Sequence, residues 1–285
     1  MPELPEVETV RNTLKRLIIG RKIVNFTWTY DKIIKDMTIE QFKNKLLNQS
    51  FVDILRRGKF LVFVMNDVSI VSHLRMEGKF YIKSPKNPLL KHEHIVFHLD
   101  DGTEFRYHDT RKFGVMHLVD STNLEEVILK SPIKKLGYEP FENDCTPEWL
   151  YNKIKNRITP IKSILLNQEF IAGLGNIYVD EVCFLSRLHP TEPACNLTLE
   201  DTKIIINNAI EVLNKAIVWG GTTIRSYTSI NDVHGRFQNE LMVHRRVDEK
   251  CHICQTVIKK IKVGGRGTYF CEKCQTQRGW VLKKT

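Results

Sequence analysis

At 285 residues, 42% hydrophobic and with a mean hydropathy of -0.27, the chain is long enough for two ordinary domains, or one large domain and a small module, with a normal core. No window approaches the ~18 unbroken apolar residues of a membrane span, and no charged-then-apolar signal segment opens the sequence. Neither export nor a membrane is therefore expected, and the cytoplasm is the default location. The net charge of +10 is uneven: residues 235–285 carry 12 Lys and Arg against 4 Asp and Glu, a local excess of +8. Such a terminal module is the footprint of a phosphate-backbone binder, for DNA or RNA, or else a solubilising basic tail.

In chain order, Val7, Val10, Leu14, Leu17 and Ile18 recur at helical spacing after Pro5, with Glu6 and Glu8 in the first turn, which predicts an N-terminal helix. From Lys22 to about Leu118 the pattern changes to short β-branched and aromatic runs. KIVNFTWTY, KFLVFVM, VSIVSHL, HIVFHL and GVMHLV read as strands, and an Asp101-Gly102 turn joins HIVFHL to a strand carrying Glu104 to Tyr107. Strands at this spacing predict a two-layer β-sandwich packed with the first helix. Helices follow from about Ser121. Thr146 caps one that starts at Pro147 and runs through Ile154; another covers Pro160 to Asn167; a third begins near Asn176, after the turn AGLG. Thr198-x-x-Asp201 reads as a capping box ahead of a long apolar-periodic stretch ending at Gly220-Gly221. After about Asp232 the chain is rich in Gly, Cys and Lys, with short strands. The expected fold class is α+β and multidomain, divided as 1–130, 131–231 and 232–285.

Seven cysteines fall into two groups. Cys145, Cys183 and Cys195 are isolated and read as inert thiols. Cys251-x2-Cys254 and Cys271-x2-Cys274 are separated by 16 residues, the spacing of a four-cysteine zinc ribbon. Two such knuckles complete a tetrahedron with no open position, so one structural zinc is expected, supplying much of the folding free energy of so small a module. His252 lies inside the first knuckle and could substitute as a ligand, but four thiolates suffice. Between the knuckles, Gly264, Gly265 and Gly267 allow a tight hairpin with Arg266 at its tip, either as a phosphate contact or as a plain exposed turn.

The opening MPELPEVETVR has both a structural and a chemical reading. Pro2 and the glutamates can simply begin a helix and complement its dipole. Methionine before proline is commonly removed, however, which leaves Pro2 with a free secondary amine. An α-amino group titrates at ~8, against ~10.4 for lysine, so about a tenth is unprotonated at pH 7. Such an amine can attack C1′ of a deoxyribose and displace the base. The resulting iminium cannot shed its charge and remains an electron sink for eliminating the 3′ and then the 5′ phosphate. Glu3 stands next to the amine as a candidate general acid and base, and Glu6, further into the helix, as its orienter.

Taken together and in order, MPELPEVETVR, HLRMEGKF, AGLGNIYVDE, GGTTIRSY and GGRGTYFC resemble the bacterial formamidopyrimidine-DNA glycosylases, over nearly the whole chain. The resemblance implies a helix-two-turn-helix in the helical domain and a monomeric enzyme acting on double-stranded DNA that contains oxidised bases or abasic sites, at the nucleoid while acting. The implied activity is that of a glycosylase and lyase on oxidised purines, chiefly 8-oxoguanine and formamidopyrimidines. By matching position, Pro2 is the Schiff-base nucleophile and Glu3 the proton donor. Lys59 serves the first elimination and Arg266 the second. His73 and Asn176 clamp phosphates, and Asn176 also opens a helix whose N–H groups face an anion. His92, Lys112 and Arg157 are further backbone contacts. Base flipping leaves a void in the stack, which Met76, Arg111 and Phe113 are implied to fill; locally, Met76 and Phe113 read as strand core and Arg111 as a surface charge. Thr222, Thr223, Ile224, Arg225, Ser226 and Tyr227 match the segment that closes over the extruded base, with the two preceding glycines as a hinge. The family often has Asp where Asn167 stands and Gly where Arg245 or Arg246 falls. Two rivals stand beside this reading: a sister enzyme of the endonuclease VIII type for oxidised pyrimidines, and a non-enzymatic zinc-ribbon DNA binder. ELPEVE and GGTTIRSY favour the purine branch.

Overall fold

The computed structural model describes residues 1–222 and 235–277. The chain divides into two compact units, Met1–Lys134 with Gly220–Gly235, and Lys135–Trp219 with Arg236–Thr285.

The first unit contains α1 (Leu4–Ile18), β1 (Ile23–Trp28), β2 (Ile34–Lys35), α2 (Ile39–Leu46), β3 (Phe51–Arg57), β4 (Phe60–Met65), β5 (Ser69–His73), β6 (Lys79–Lys83), β7 (Glu93–Leu99), β8 (Glu104–His108), β9 (Val115–Val119) and α3 (Leu124–Leu129). Its strands form a sheet of order β1-β7-β8-β6 and a second of order β2-β9-β5-β4-β3. Alternate residues of β4 (Leu61, Phe63 and Met65) enter a core shared with Phe26, Phe97, Phe105 and Phe80 of the other sheet. Rings meet across the two layers, Phe63 to Phe80 at 5.3 Å and Phe51 to Phe105 at 5.8 Å between centroids, so the expected sandwich is the architecture found. In α1 the apolar stripe Leu4, Val7, Val10, Leu14 and Ile18 is buried, Pro5 sits in the first turn, Glu3 and Glu6 form a capping box, and Lys15 and Arg16 face the negative end of the dipole. Four elements, β2, α2, β3 and β6, had no counterpart among the strands and helices expected from the sequence. Strand β3 is the hairpin partner of β4, and α2 is a short helix in which only Phe42 and Leu46 are buried. Strand β3 alternates only weakly, whereas α2 did carry a usable signal in the Thr38-x-x-Gln41 capping box ahead of Phe42 and Leu46.

The second unit contains α4 (Pro147–Ile154), α5 (Ile161–Leu166), α6 (Asn176–Leu185), α7 (Leu199–Val218), β10 (Lys259–Val263) and β11 (Arg266–Phe270). The expected caps are in place: the Thr146 hydroxyl accepts from Trp149 N at 3.1 Å, and Thr198 and Asp201 form the reciprocal capping box of α7. Asn167 ends α5 and accepts from Glu169 N at 3.0 Å through its Oδ1, an atom that aspartate also provides. Of the two arginines before the ribbon, Arg245 takes the left-handed conformation (φ 62°), one that a glycine would adopt without strain. The ribbon does not fold on its own residues alone: Phe184 and Leu185 of α6 pack into one cluster with Ile258, Val243 and the cysteines. Among the described residues, no helix is long and apolar enough to cross a membrane.

Candidate active site and nucleic-acid interface

Pro2 and Glu3 lead into α1 and are buried, while Met1 is 37% exposed. Glu6 organises this end of the chain. Its Oε2 accepts from Glu3 N at 2.8 Å, and its Oε1 accepts from Thr222 N at 2.8 Å and from the Thr222 hydroxyl at 3.2 Å. Gly221 makes this approach possible: its φ is +80°, and a Cβ there would lie 2.7 Å from Glu6 Oε1. One carboxylate thus fixes both the residue beside Pro2 and the residue that enters the expected lesion loop. The rest of that loop (Thr223, Ile224, Arg225, Ser226 and Tyr227) lies outside the described residues.

Lys59 follows Gly58 in the β3–β4 turn and is 4% exposed. Arg56 ties this turn to α1, with Nε donating to Glu8 at 2.8 Å and an Nη to Gly58 O at 3.1 Å. Burial opposes ionisation of Glu8, but the Arg11 and Arg56 guanidiniums outweigh it and hold its carboxyl below the ordinary range. His73 ends β5 directly opposite Phe60 in the sheet register, one residue from Lys59. Burial, then the charges of Arg75 and Lys59, lower its imidazole to about 3. Arg75 N donates to His73 Nδ1 at 2.9 Å, so the neutral ring carries its proton on Nε2 and presents a donor, as a phosphate oxygen requires.

Met76 and Phe113 are not strand core. Met76 is half-buried in the turn between β5 and β6, and Phe113 is 53% exposed in the loop between β8 and β9. Arg111 is exposed in the same loop, its guanidinium 4.8 Å above the Phe113 ring, and Lys112 lies over the Tyr30 ring at 4.6 Å. The local core reading misjudged both apolar residues because hydrophobicity alone does not separate a packed strand from an apolar loop tip. His92 is half-buried, with its ring 5.8 Å from that of His108 and its Nδ1 enclosed without a partner.

In the second unit, Arg266 is exposed at the tip of the β10–β11 hairpin, where Gly264 and Gly265 take φ values of 53° and 78°. Asn176, the first residue of α6, donates from Nδ2 to Gly267 O at 2.9 Å, so the implied Asn176 and Arg266 clamps are brought together through one carbonyl. Lys162 reaches the same carbonyl at 3.2 Å and pairs with Asp180 at 2.7 Å, both side chains being fully buried; the other Asp180 oxygen meets His244 Nδ1 at 2.7 Å. The adjacent Glu181 accepts from the backbone N–H groups of Met242, Val243 and His244. Sequence reasoning missed Lys162, Asp180 and Glu181, although charged residues inside the apolar runs of α5 and α6 were a usable signal. Arg157 stands apart from this cluster, exposed after α4, donating to Lys153 O at 3.0 Å and lying over the Phe170 ring at 5.0 Å.

The sulfurs of Cys251, Cys254, Cys271 and Cys274 all lie within 4.8 Å of one another. Cys251 and Cys274 are 3.9 Å apart, and Cys254 and Cys271 3.3 Å. Tetrahedral zinc with Zn–S of ~2.3 Å requires edges of about 3.8 Å, so the four thiols fit that ion and are too far apart for disulfides. His252 is exposed and outside the cluster. Burial pushes the thiols of Cys145 and Cys183 up to about 11 and about 12, consistent with inert cysteines; Cys195 is half-buried.

Three family profiles match the chain in succession: Formamidopyrimidine-DNA glycosylase N-terminal domain over residues 1–116, Formamidopyrimidine-DNA glycosylase H2TH domain over 136–228, and Zinc finger found in FPG and IleRS over 248–277. A formamidopyrimidine-DNA glycosylase of Cytobacillus firmus is 44% identical over 276 residues, 96% of this chain and 100% of its own. One of Mycoplasma mobile is also 44% identical over 276 residues, covering 96% of this chain and 99% of its own. Among solved structures, a Lactococcus lactis FPG mutant bound to Fapy-dG containing DNA superposes with a TM-score of 0.90 at 40% identity, covering 97% of this chain and 100% of that one. The Lactococcus lactis Fpg bound to abasic-site DNA gives 0.89 at 39% identity with the same coverage. The wild-type Lactococcus lactis protein bound to an oxidized pyrimidine containing DNA gives 0.88 at 39% identity, again covering 97% and 100%.

Proposed function

The chain belongs to the formamidopyrimidine-DNA glycosylase family, and from that membership we propose that it is a base-excision-repair enzyme that removes oxidised purines from duplex DNA and cleaves the strand by successive β- and δ-elimination. What carries this reading is that the likeness runs end to end, at 44% identity over 96% of the chain and with the four-cysteine cluster formed. In the proposed sequence of steps, removal of Met1 frees the Pro2 nitrogen, which attacks C1′ of an extruded nucleotide and displaces the base. Glu3 donates and recovers the proton, while Glu6 holds the Glu3 backbone and the entrance to the 222–227 loop in place. Lys59 assists loss of the 3′ phosphate and Arg266 loss of the 5′ phosphate. The Nε2–H of neutral His73 and the Asn176 end of α6 bind phosphate oxygens, with His92, Lys112 and Arg157 extending the backbone contact. Met76, Arg111 and Phe113 fill the vacated stack. The zinc organises the ribbon that carries Arg266 and takes no part in the chemistry.

This reading assigns the chemistry to residues 1–130, helical DNA binding to 131–231 and ribbon DNA binding to 232–285, in a monomer acting on DNA in the bacterial cytoplasm, at the nucleoid. Borohydride is expected to trap a covalent complex with duplex containing 8-oxoguanine, and Pro2→Gly to reduce trapping strongly. Full activity in a protein whose Pro2 is blocked by an added N-terminal residue would refute the mechanism. Because a relative has been solved with oxidised-pyrimidine DNA, rates on 8-oxoguanine and thymine glycol should be compared as a ratio; a preference for thymine glycol would overturn the oxidised-purine reading in favour of endonuclease VIII-like specificity. Salt-sensitive binding without cleavage is the outcome expected of a non-enzymatic binder.

A further inference from the structure

The residues read as void-fillers come from two loops far apart in sequence, and both loops rest on one buried pair. The Met76 turn closes with Gly78 N donating to Leu74 O at 2.9 Å. Arg111 and Phe113 belong to the loop 109–114, folded around the carboxylate of Asp109, which is 0% exposed. One Asp109 oxygen accepts from Arg111 N at 2.9 Å, and the other accepts from Phe113 N at 3.0 Å and Gly114 N at 2.8 Å. These bonds hold the loop in a shape in which Lys112 takes a left-handed backbone (φ 57°) between the two void-filling residues. Tyr107, also 0% exposed, extends its hydroxyl to Asp109 at 3.4 Å. The same hydroxyl lies against both loops: a Cβ on Gly78 would stand 2.3 Å from it and one on Gly114 only 1.6 Å, so both positions require glycine to let the backbones seat on the phenol. At the surface the loops are linked again, the Thr110 hydroxyl donating to the Glu77 carboxylate.

We propose that Tyr107 and Asp109 are positioning residues that preassemble the Met76 turn and the Arg111–Phe113 loop into a single wedge before DNA arrives. The proposal rests on the reading of Met76, Arg111 and Phe113 as the groups that replace the extruded base. Its physical basis is preorganisation: a side chain ordered during folding does not have to be ordered when the stack opens, so its contacts act in full on the extrusion equilibrium. A buried acceptor of three N–H groups suits this task, because one side chain then fixes three backbone positions of the loop.

The test uses Asp109→Asn, with Tyr107→Phe as a second, milder variant that keeps the ring packed 5.0 Å from Phe80, and Met76→Ala and Phe113→Ala as references. Single-turnover excision is measured on 8-oxoguanine duplex, 2-aminopurine beside the lesion reports the filled stack, and borohydride trapping on a single-stranded abasic oligonucleotide reports chemistry that needs no wedge. Asp109→Asn is expected to slow duplex excision on the order of tenfold and to weaken the 2-aminopurine change, the scale of one charge-assisted hydrogen bond. It is also expected to leave single-strand trapping within about twofold and to add little to Phe113→Ala in a double-mutant cycle. If Phe113→Ala impairs duplex excision while Asp109→Asn and Tyr107→Phe do not, the proposal falls and the void-filling reading stands. If Met76→Ala and Phe113→Ala are themselves silent, that reading falls and takes the proposal with it. Equal losses on duplex and single strand, or additive losses with Phe113→Ala, show a merely structural role and overturn the proposal.

Discussion

Replacing Lys162 with methionine keeps most of the side-chain volume but removes the cation from a fully buried cluster. In the folded protein Lys162 Nζ lies 2.7 Å from Asp180 and 3.2 Å from Gly267 O, with neither Lys162 nor Asp180 exposed. Removing one partner of such a pair leaves an uncompensated buried carboxylate, which costs about 3–5 kcal/mol. Two features place this case at the lower end. Asp180 keeps its contact with His244, and Gly267 O keeps the hydrogen bond from Asn176. A loss of about 3 kcal/mol corresponds to a fall in Tm of roughly 6–12 °C for a chain of this class. Urea melts of wild type, Lys162→Met, Asp180→Asn and the double variant supply the cycle. Asp180→Asn in the Lys162→Met background removes the stranded charge while keeping an oxygen for His244, so the double variant is expected to recover most of the loss. A cost below about 1 kcal/mol for Lys162→Met, or a double variant no more stable than the single, would show that the stranded charge is not what the cluster prevents.

Three further outcomes are expected. Arg266→Ala should lower the slope of log K against log salt by about 0.9, one phosphate contact, and should let the product of the first elimination accumulate on gels. For His73, the folded imidazole titrates at about 3 and the unfolded one at ~6.5, so the unfolded chain binds more protons between those values and stability falls as pH drops through that window. By pH 5 the loss reaches about 2 kcal/mol, and His73→Gln should flatten the pH dependence of urea midpoints by about one proton. Stripping the zinc with a strong chelator should release one ion per chain and abolish duplex binding, while the sandwich keeps a cooperative unfolding transition; retained tight binding without metal would contradict the role given to the ribbon.

The features legible in the sequence are those whose physics lies between near neighbours. A capping box spans four residues, so Thr198 and Asp201 announce α7; a knuckle spans four, so the paired cysteines announce the metal; Asp101-Gly102 suits the turn between β7 and β8. The nucleophile proposed at Pro2 was suggested by the chemistry of a proline that can become the chain terminus, and the roles proposed for Met76, Arg111 and Phe113 only by family resemblance. The tertiary structure alone decided which distant polar groups meet. Glu6 and Thr222 are 216 residues apart, Lys162 and Gly267 105 apart, and Arg56 and Glu8 48 apart. It also decided that Tyr107 and Asp109 underlie two separate loops, and that Phe113 points outward although its composition reads as core. The division has a physical cause. Caps, turns and metal knuckles are directional interactions satisfied within a few residues, whereas burial is non-directional, and a buried polar group bonds to whatever the completed packing brings within about 3 Å of it.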